Sequence, residues 1–102
     1  MENSCENKTQ KKAISFVKKM NYEKFRIESF RNWPLPYMNV REFGSNGFYY
    51  KGYDDEVECN FCHITIRAWE AEDTGEAQHK KWAPYCPIVR GIDTDNIKLE
   101  TA

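Results

Sequence analysis

Val57-Glu58-Cys59-Asn60-Phe61-Cys62-His63-Ile64-Thr65-Ile66 is the stretch that decides the fold. Apolar Val57, Cys59 and Phe61 alternate with polar Glu58 and Asn60, and Ile64-Thr65-Ile66 alternates again. Alternation with period two predicts a short strand on each side of the Cys59-x2-Cys62 pair. Two residues between thiols is the spacing of a metal knuckle at a strand end. Sixteen residues separate Cys62 from His79, and six separate His79 from Cys86. Two thiolates on one edge and a His and a Cys on the other would complete a tetrahedral zinc site. With four protein ligands no position stays open for a catalytic water, so one Zn²⁺ held by Cys59, Cys62, His79 and Cys86 is expected to be structural.

Other readings compete for the same residues. Disulfides suit an oxidising compartment, and the start of the chain shows no charged segment leading into an apolar run. Cys59-Asn60-Phe61-Cys62-His63 also matches the haem-attachment pattern C-x-x-C-H, which would leave His79 and Cys86 unexplained. A third reading makes Cys86 a small buried hydrophobe and His79 a hydrogen-bonded core histidine. Cys5 stands apart and reads as an incidental free thiol.

Working outward, Phe48-Tyr49-Tyr50 reads as a strand and Lys51-Gly52-Tyr53-Asp54-Asp55 as a turn, so three short antiparallel strands are expected. Ala13, Phe16, Val17 and Met20 fall at helical spacing and predict a helix over 11–20; Tyr22, Phe25, Ser29 and Phe30 mark a second, stopped before Pro34. Asn39 with Glu42 three residues on reads as a capping box, and Gly44 or Gly47 as the end of that helix. Asp73-Thr74 is a cap pair for a helix over 75–83, ended by Pro84. The expected fold is α+β: a small zinc-binding domain whose three-stranded antiparallel sheet is flanked by four to five short helices.

The 102 residues allow one domain, which at this size buries only about two-thirds of its unfolded surface and gains from a staple. Fifteen basic against sixteen acidic residues give a net charge of -1, which argues against a nucleic-acid partner. A mean hydropathy of -0.84 argues against a membrane segment. Charge is uneven: residues 54–76 hold eight acids against Arg67, a local -7. That stretch reads either as a solvated face or as a cleft for a cationic ligand.

A ladder of residues then carries a family resemblance. Arg26-x2-Ser29-Phe30-x2-Trp33-Pro34, Asn46-Gly47-Phe48-Tyr49-Tyr50, Asp55-x-Val57-x-Cys59-x2-Cys62 and Trp69-x3-Asp73-x5-His79-x2-Trp82-x-Pro84-x-Cys86-Pro87 resemble the baculoviral inhibitor-of-apoptosis repeat, the BIR domain. The likeness is greatest to the first BIR of viral and insect inhibitor-of-apoptosis proteins. It divides the chain into a partly helical extension (1–21), a BIR domain (22–91) and a polar tail or linker (92–102). Arg26 would be a structural hydrogen-bonding residue, and Gly47 would let the chain enter the first strand. Phe30, Trp33, Phe48 and Phe61 would be core.

The resemblance implies a binding module that captures free N-terminal alanines of pro-apoptotic antagonists and processed caspases. A peptide strand would add along the backbone of Thr65, Ile66 and Arg67. Asp73 would take the ammonium, with Gln78 as a second acceptor; Ile66 and Trp69 would line a methyl-sized pocket, and Trp82 would flank the third ligand residue. The family's tightest peptide binders carry Gly where Thr65 stands and a shorter polar residue than Arg67. A second reading is a scaffold whose helix at 11–20 binds signalling adaptors or mediates self-association; a remote third is a haem electron carrier through Cys59–His63. No enzyme is expected, since filling the metal site leaves no Cys/His or Ser/His/acid pair. A RING domain, common in such proteins, is not in this chain. The expected location is the cytoplasm, that of the host cell for a viral protein.

Overall fold

The computed structural model describes residues 15–99. Ser15 caps helix α1 (Phe16–Lys19), its Oγ accepting the Lys18 N–H at 3.1 Å. The expectation of a helix from Lys11 falls partly outside the described residues, as does Cys5. Phe16 packs edge-on against Tyr49 at 5.0 Å, so α1 lies against the sheet. Helix α2 (Glu23–Glu28) stops before Ser29, so Phe30 buries its ring from a turn and not from the expected helix.

Helix α3 (Val40–Ser45) starts at Asn39, whose Oδ1 accepts from the Arg41 and Glu42 N–H groups. The helix crosses α2 closely at Gly44, where a Cβ would lie 2.5 Å from the Ile27 side chain. Gly47, with φ of 92°, makes the turn into the sheet. A Cβ there would meet Cys59 Sγ and the Phe61 ring, both at 3.2 Å.

Strands β1 (Phe48–Tyr50), β2 (Val57–Cys59) and β3 (Thr65–Ile66) form the antiparallel sheet in the order β1-β2-β3. Phe48 pairs with Cys59, and Val57 pairs with both Tyr50 and Ile66. The second strand ends at Cys59, leaving Phe61 in the knuckle turn, and the third begins at Thr65 and not at Ile64. Helix α4 (Gly75–Trp82) follows, and α5 (Pro87–Arg90) has proline in its first turn and left-handed Gly91 at its end. Pro87 and Gly91 are helix start and stop residues, a signal legible in the sequence.

The sheet face that carries Phe48, Val57 and Ile66 holds the core, whereas Tyr49, which α1 touches, is on the other face. Phe30 stacks on Phe43 at 5.4 Å, Phe43 meets Trp69 edge-on at 4.6 Å, and Phe48 lies 4.5 Å from the His79 ring. Val57, Cys59, Ile66, Ala83 and Cys86 complete this core, which runs without a break into the four metal-type side chains.

Candidate functional site

The β2–β3 knuckle and the far end of α4 bring four side chains together. Cys59 ends its strand, and the next turn is tight: the His63 N–H returns to the Cys59 carbonyl at 2.8 Å, with His63 in left-handed geometry (φ 69°). That turn places Cys62 beside Cys59. His79 lies on the inner face of α4, and Cys86 precedes α5. The donor atoms of Cys59, Cys62, His79 and Cys86 all lie within 4.8 Å of one another.

Two separations inside the cluster test its fit to an ion. Cys59 Sγ and Cys86 Sγ are 3.8 Å apart, and Cys62 Sγ is 3.5 Å from His79 Nε2. A tetrahedral ion with bonds of about 2.3 Å to sulfur and about 2.1 Å to nitrogen has edges of about 3.8 Å and about 3.6 Å. A disulfide of about 2.05 Å is far shorter than the observed sulfur separation. The protonation chemistry agrees. Burial pushes the His79 imidazole down to about 4, against a smaller opposing pull from the Asn46 backbone. The ring is therefore neutral, with a lone pair to give. Burial raises the Cys59 and Cys62 thiols, so these sulfurs ionise readily only beside a cation. The four residues can hold one metal ion.

The haem reading fails on accessibility. Cys59 is fully buried, while His63 projects outward toward Glu58, its Nδ1 at 3.5 Å from that carboxylate.

A second feature adjoins this cluster. The Cys59 N–H donates to the Ile64 carbonyl at 3.0 Å, so Ile64 and Ile66 turn their backbone groups toward β2. In an antiparallel ladder the alternate residues, Thr65 and Arg67, then face the other edge, and among the described residues no strand pairs there. Beside that edge lies a shallow cavity of about 280 Å³ lined by Ile64, Thr65, Ile66, Arg67 and Trp82. Trp82 is 56% exposed, and its indole N–H is fixed on Gln78 Oε1 at 3.0 Å. The Gln78 amide donates in turn to Asp73 Oδ1 at 3.4 Å, and Asp73 Oδ2 accepts the Glu70 N–H at 2.8 Å. Three of the residues predicted to bind peptide thus form one hydrogen-bonded chain, whose Trp82 end lies beside the edge. Trp69, whose peptide bond leads to the Glu70 N–H held by Asp73, buries its own ring against Phe43. The Arg67 guanidinium pairs with Glu56 at 3.5 Å.

The family model described as "Inhibitor of Apoptosis domain" matches residues 26–90. The chain belongs to the BIR family. Among proteins it resembles is the "Apoptosis inhibitor IAP" of Cydia pomonella granulosis virus, 43% identical over 89 residues that cover 80% of this chain and 32% of that protein. Another is the "E3 ubiquitin-protein ligase IAP-3" of Orgyia pseudotsugata multicapsid polyhedrosis virus, 43% identical over 64% of this chain and 24% of that one. The chain thus spans a third or less of these relatives. A solved structure of DIAP1 BIR1 bound to a Grim peptide superposes with a TM-score of 0.77 at 34% identity, covering 79% of this chain and 84% of that chain. The autoinhibited dIAP1-BIR1 domain gives 0.78 at the same identity, covering 80% and 84%.

Within this BIR fold, Arg26 is the hydrogen-bonding hub that the resemblance implies. Fully buried, it donates to the carbonyls of Gly44 (2.9 Å), Met20 (2.8 Å) and Asn21 (3.1 Å). Two acids named in the sequence have distant partners that it did not reveal. Asp55 accepts the N–H groups of Ala68 (3.0 Å) and Trp69 (2.8 Å), pinning the left-handed Ala68 where the chain leaves β3. Glu42 accepts the N–H groups of Gly75 (2.6 Å) and Glu76 (2.8 Å) at the start of α4. Asp55 sits in a turn where an acid is ordinary, and Glu42 matched a local capping box, so neither betrayed its distant partner.

Proposed function

We propose that this BIR domain is a zinc-stabilised, anti-apoptotic binding module that captures peptides beginning with a free alanine, as borne by pro-apoptotic antagonists and processed caspases. The observation that carries the reading is the unpaired β3 edge beside Trp82, to which Gln78 and Asp73 are hydrogen-bonded in series. A peptide strand laid antiparallel there exchanges backbone hydrogen bonds with Thr65 and Arg67. Its ammonium comes within reach of the Asp73 carboxylate, whose charge-assisted bond discriminates a free N-terminus from a blocked one. Trp82, held by Gln78, gives the third ligand residue a rigid aromatic wall. The Grim peptide carried by a 34%-identical BIR neighbour supports the same partner class.

Pairing of Arg67 with Glu56 reduces its repulsion of an incoming ammonium. The ion, as zinc on Cys59, Cys62, His79 and Cys86, supplies structural cross-linking: it ties the β2–β3 knuckle to α4 and so fixes the edge relative to Trp82. With all four positions taken by protein ligands, the module binds and does not catalyse. Asp73→Ala tests the reading. It should leave metal content and thermal midpoint in place while removing affinity for an alanine-initiated tetrapeptide. Unchanged affinity would refute the role of the acid.

A further inference from the structure

Helix α4 begins without help from the acid that its sequence offers. Its first three N–H groups have no partners inside the helix and must be satisfied from outside. Thr74 Oγ1 takes the Ala77 N–H at 3.1 Å. The other two, on Gly75 and Glu76, go to the carboxylate of Glu42, thirty-three residues earlier on α3. Asn46 Nδ2 steadies that carboxylate at 3.1 Å. The approach is close enough to need a glycine: a Cβ on Gly75 would lie 2.9 Å from both Glu42 Oε1 and the Phe43 ring.

These two donors are the ones Asp73 would otherwise claim. If the helix began one residue earlier, Asp73 would be its N-cap, and the N-cap carboxylate accepts from the second and third helical N–H groups, which are those of Gly75 and Glu76. Aspartate ranks above threonine as a cap, so the alternative start is favoured locally. The tertiary bond from Glu42 removes its incentive. With Gly75 and Glu76 already satisfied, Asp73 stays outside the helix, bound to the Glu70 N–H and to Gln78, which in turn holds Trp82.

We infer that Glu42 is a positioning residue for peptide capture: it occupies the helix donors that would draw Asp73 into a capping role, and so leaves the Asp73 carboxylate free for a ligand's ammonium. The inference rests on the peptide-groove reading for its functional consequence, but the competition for the two N–H groups can be measured without any peptide.

The test is amide hydrogen exchange on metal-loaded Glu42→Ala, with titration by an alanine-initiated tetrapeptide. In the parent protein the hydrogen-bonded Glu70, Gly75 and Glu76 amides should be protected. In the variant the Glu70 amide should lose protection as Asp73 turns to the helix, while Gly75 and Glu76 remain protected by their new acceptor. Affinity for the free-amine peptide should fall about ten- to hundredfold, the size of a lost charged hydrogen bond. Glu42→Gln keeps one carbonyl acceptor and should fall between the two; it also serves if the alanine variant does not fold. Glu70 protection unchanged in both variants would overturn the inference, whatever the affinity does. Loss of Glu70 protection in a protein whose parent form binds no peptide would uphold the competition and fault the groove reading instead.

Discussion

The Arg26 guanidinium donates a 2.7 Å hydrogen bond to Asn96 Oδ1, joining residues seventy positions apart. Residues 96–99 of the stretch expected as polar tail or linker are therefore drawn onto the domain. The Ile97 N–H donates to the Asn21 carbonyl at 2.7 Å, the Glu23 N–H to the Ile97 carbonyl at 2.9 Å, and the Leu99 N–H to Glu23 Oε1 at 3.0 Å. Asn96→Ala should lower stability by about 1–3 kcal/mol, because it leaves a charged donor short of a partner. It should not alter metal content. Denaturant midpoints paired with metal analysis check both halves of the expectation.

The core flows into the metal cluster, so the ion and the fold should be lost together. Chelation of the metal-loaded protein should abolish the near-ultraviolet signal of the packed Phe43–Trp69–Phe48 cluster, and one equivalent of zinc should restore it. Retention of that signal in metal-free protein would show a core able to stand without the staple.

Two glycines with similar backbone angles separate strain from crowding. Gly47 and Gly52 have φ of 92° and 97°, but only Gly47 would place a Cβ against Cys59 and Phe61. Gly52→Ala should cost about 1–2 kcal/mol for the unfavourable backbone alone. Gly47→Ala should cost more and should also weaken metal retention, since its Cβ presses on a ligand sulfur. Equal losses at the two positions would mean that the Cys59 side is free to give.

Alkaline sensitivity should trace to Tyr49. Burial, followed by the charge of Glu58, raises this phenol above its ordinary value. The folded state thus favours the neutral form. Its contribution to stability is complete below the unfolded tyrosine pKa of about 10 and is lost as pH rises beyond it. Tyr49→Phe should flatten the fall in stability between about pH 10 and pH 12. Phenolate absorbance followed against unfolding would check it.

Legibility in the sequence followed the range of the interactions. The four metal-type residues and the three strands were readable because spacing and period-two alternation are local. The sequence around Asn39 likewise announced its cap. What escaped it depends on distant partners: Glu42 leaves its own helix to cap α4, Asp55 holds the chain at Ala68, and Asn96 completes the sphere of Arg26. Residues 92–99 read as a tail because their composition is polar, while the groups that hold them lie near residue 21. The candidate groove was legible only through resemblance. The hydrogen-bonded chain from Trp82 through Gln78 to Asp73 and the outward turn of Thr65 and Arg67 needed the register of β3 on β2.

The central claim is that the β3 edge and Asp73 together read a free N-terminus. The measurement that tests it most directly is a calorimetric titration of zinc-quantified protein with one alanine-initiated tetrapeptide, prepared with a free and with an acetylated N-terminus. The free-amine form should bind and the acetylated form should not, because acetylation removes the charge that Asp73 would pair. Equal binding of the two forms, or of neither, would contradict the account.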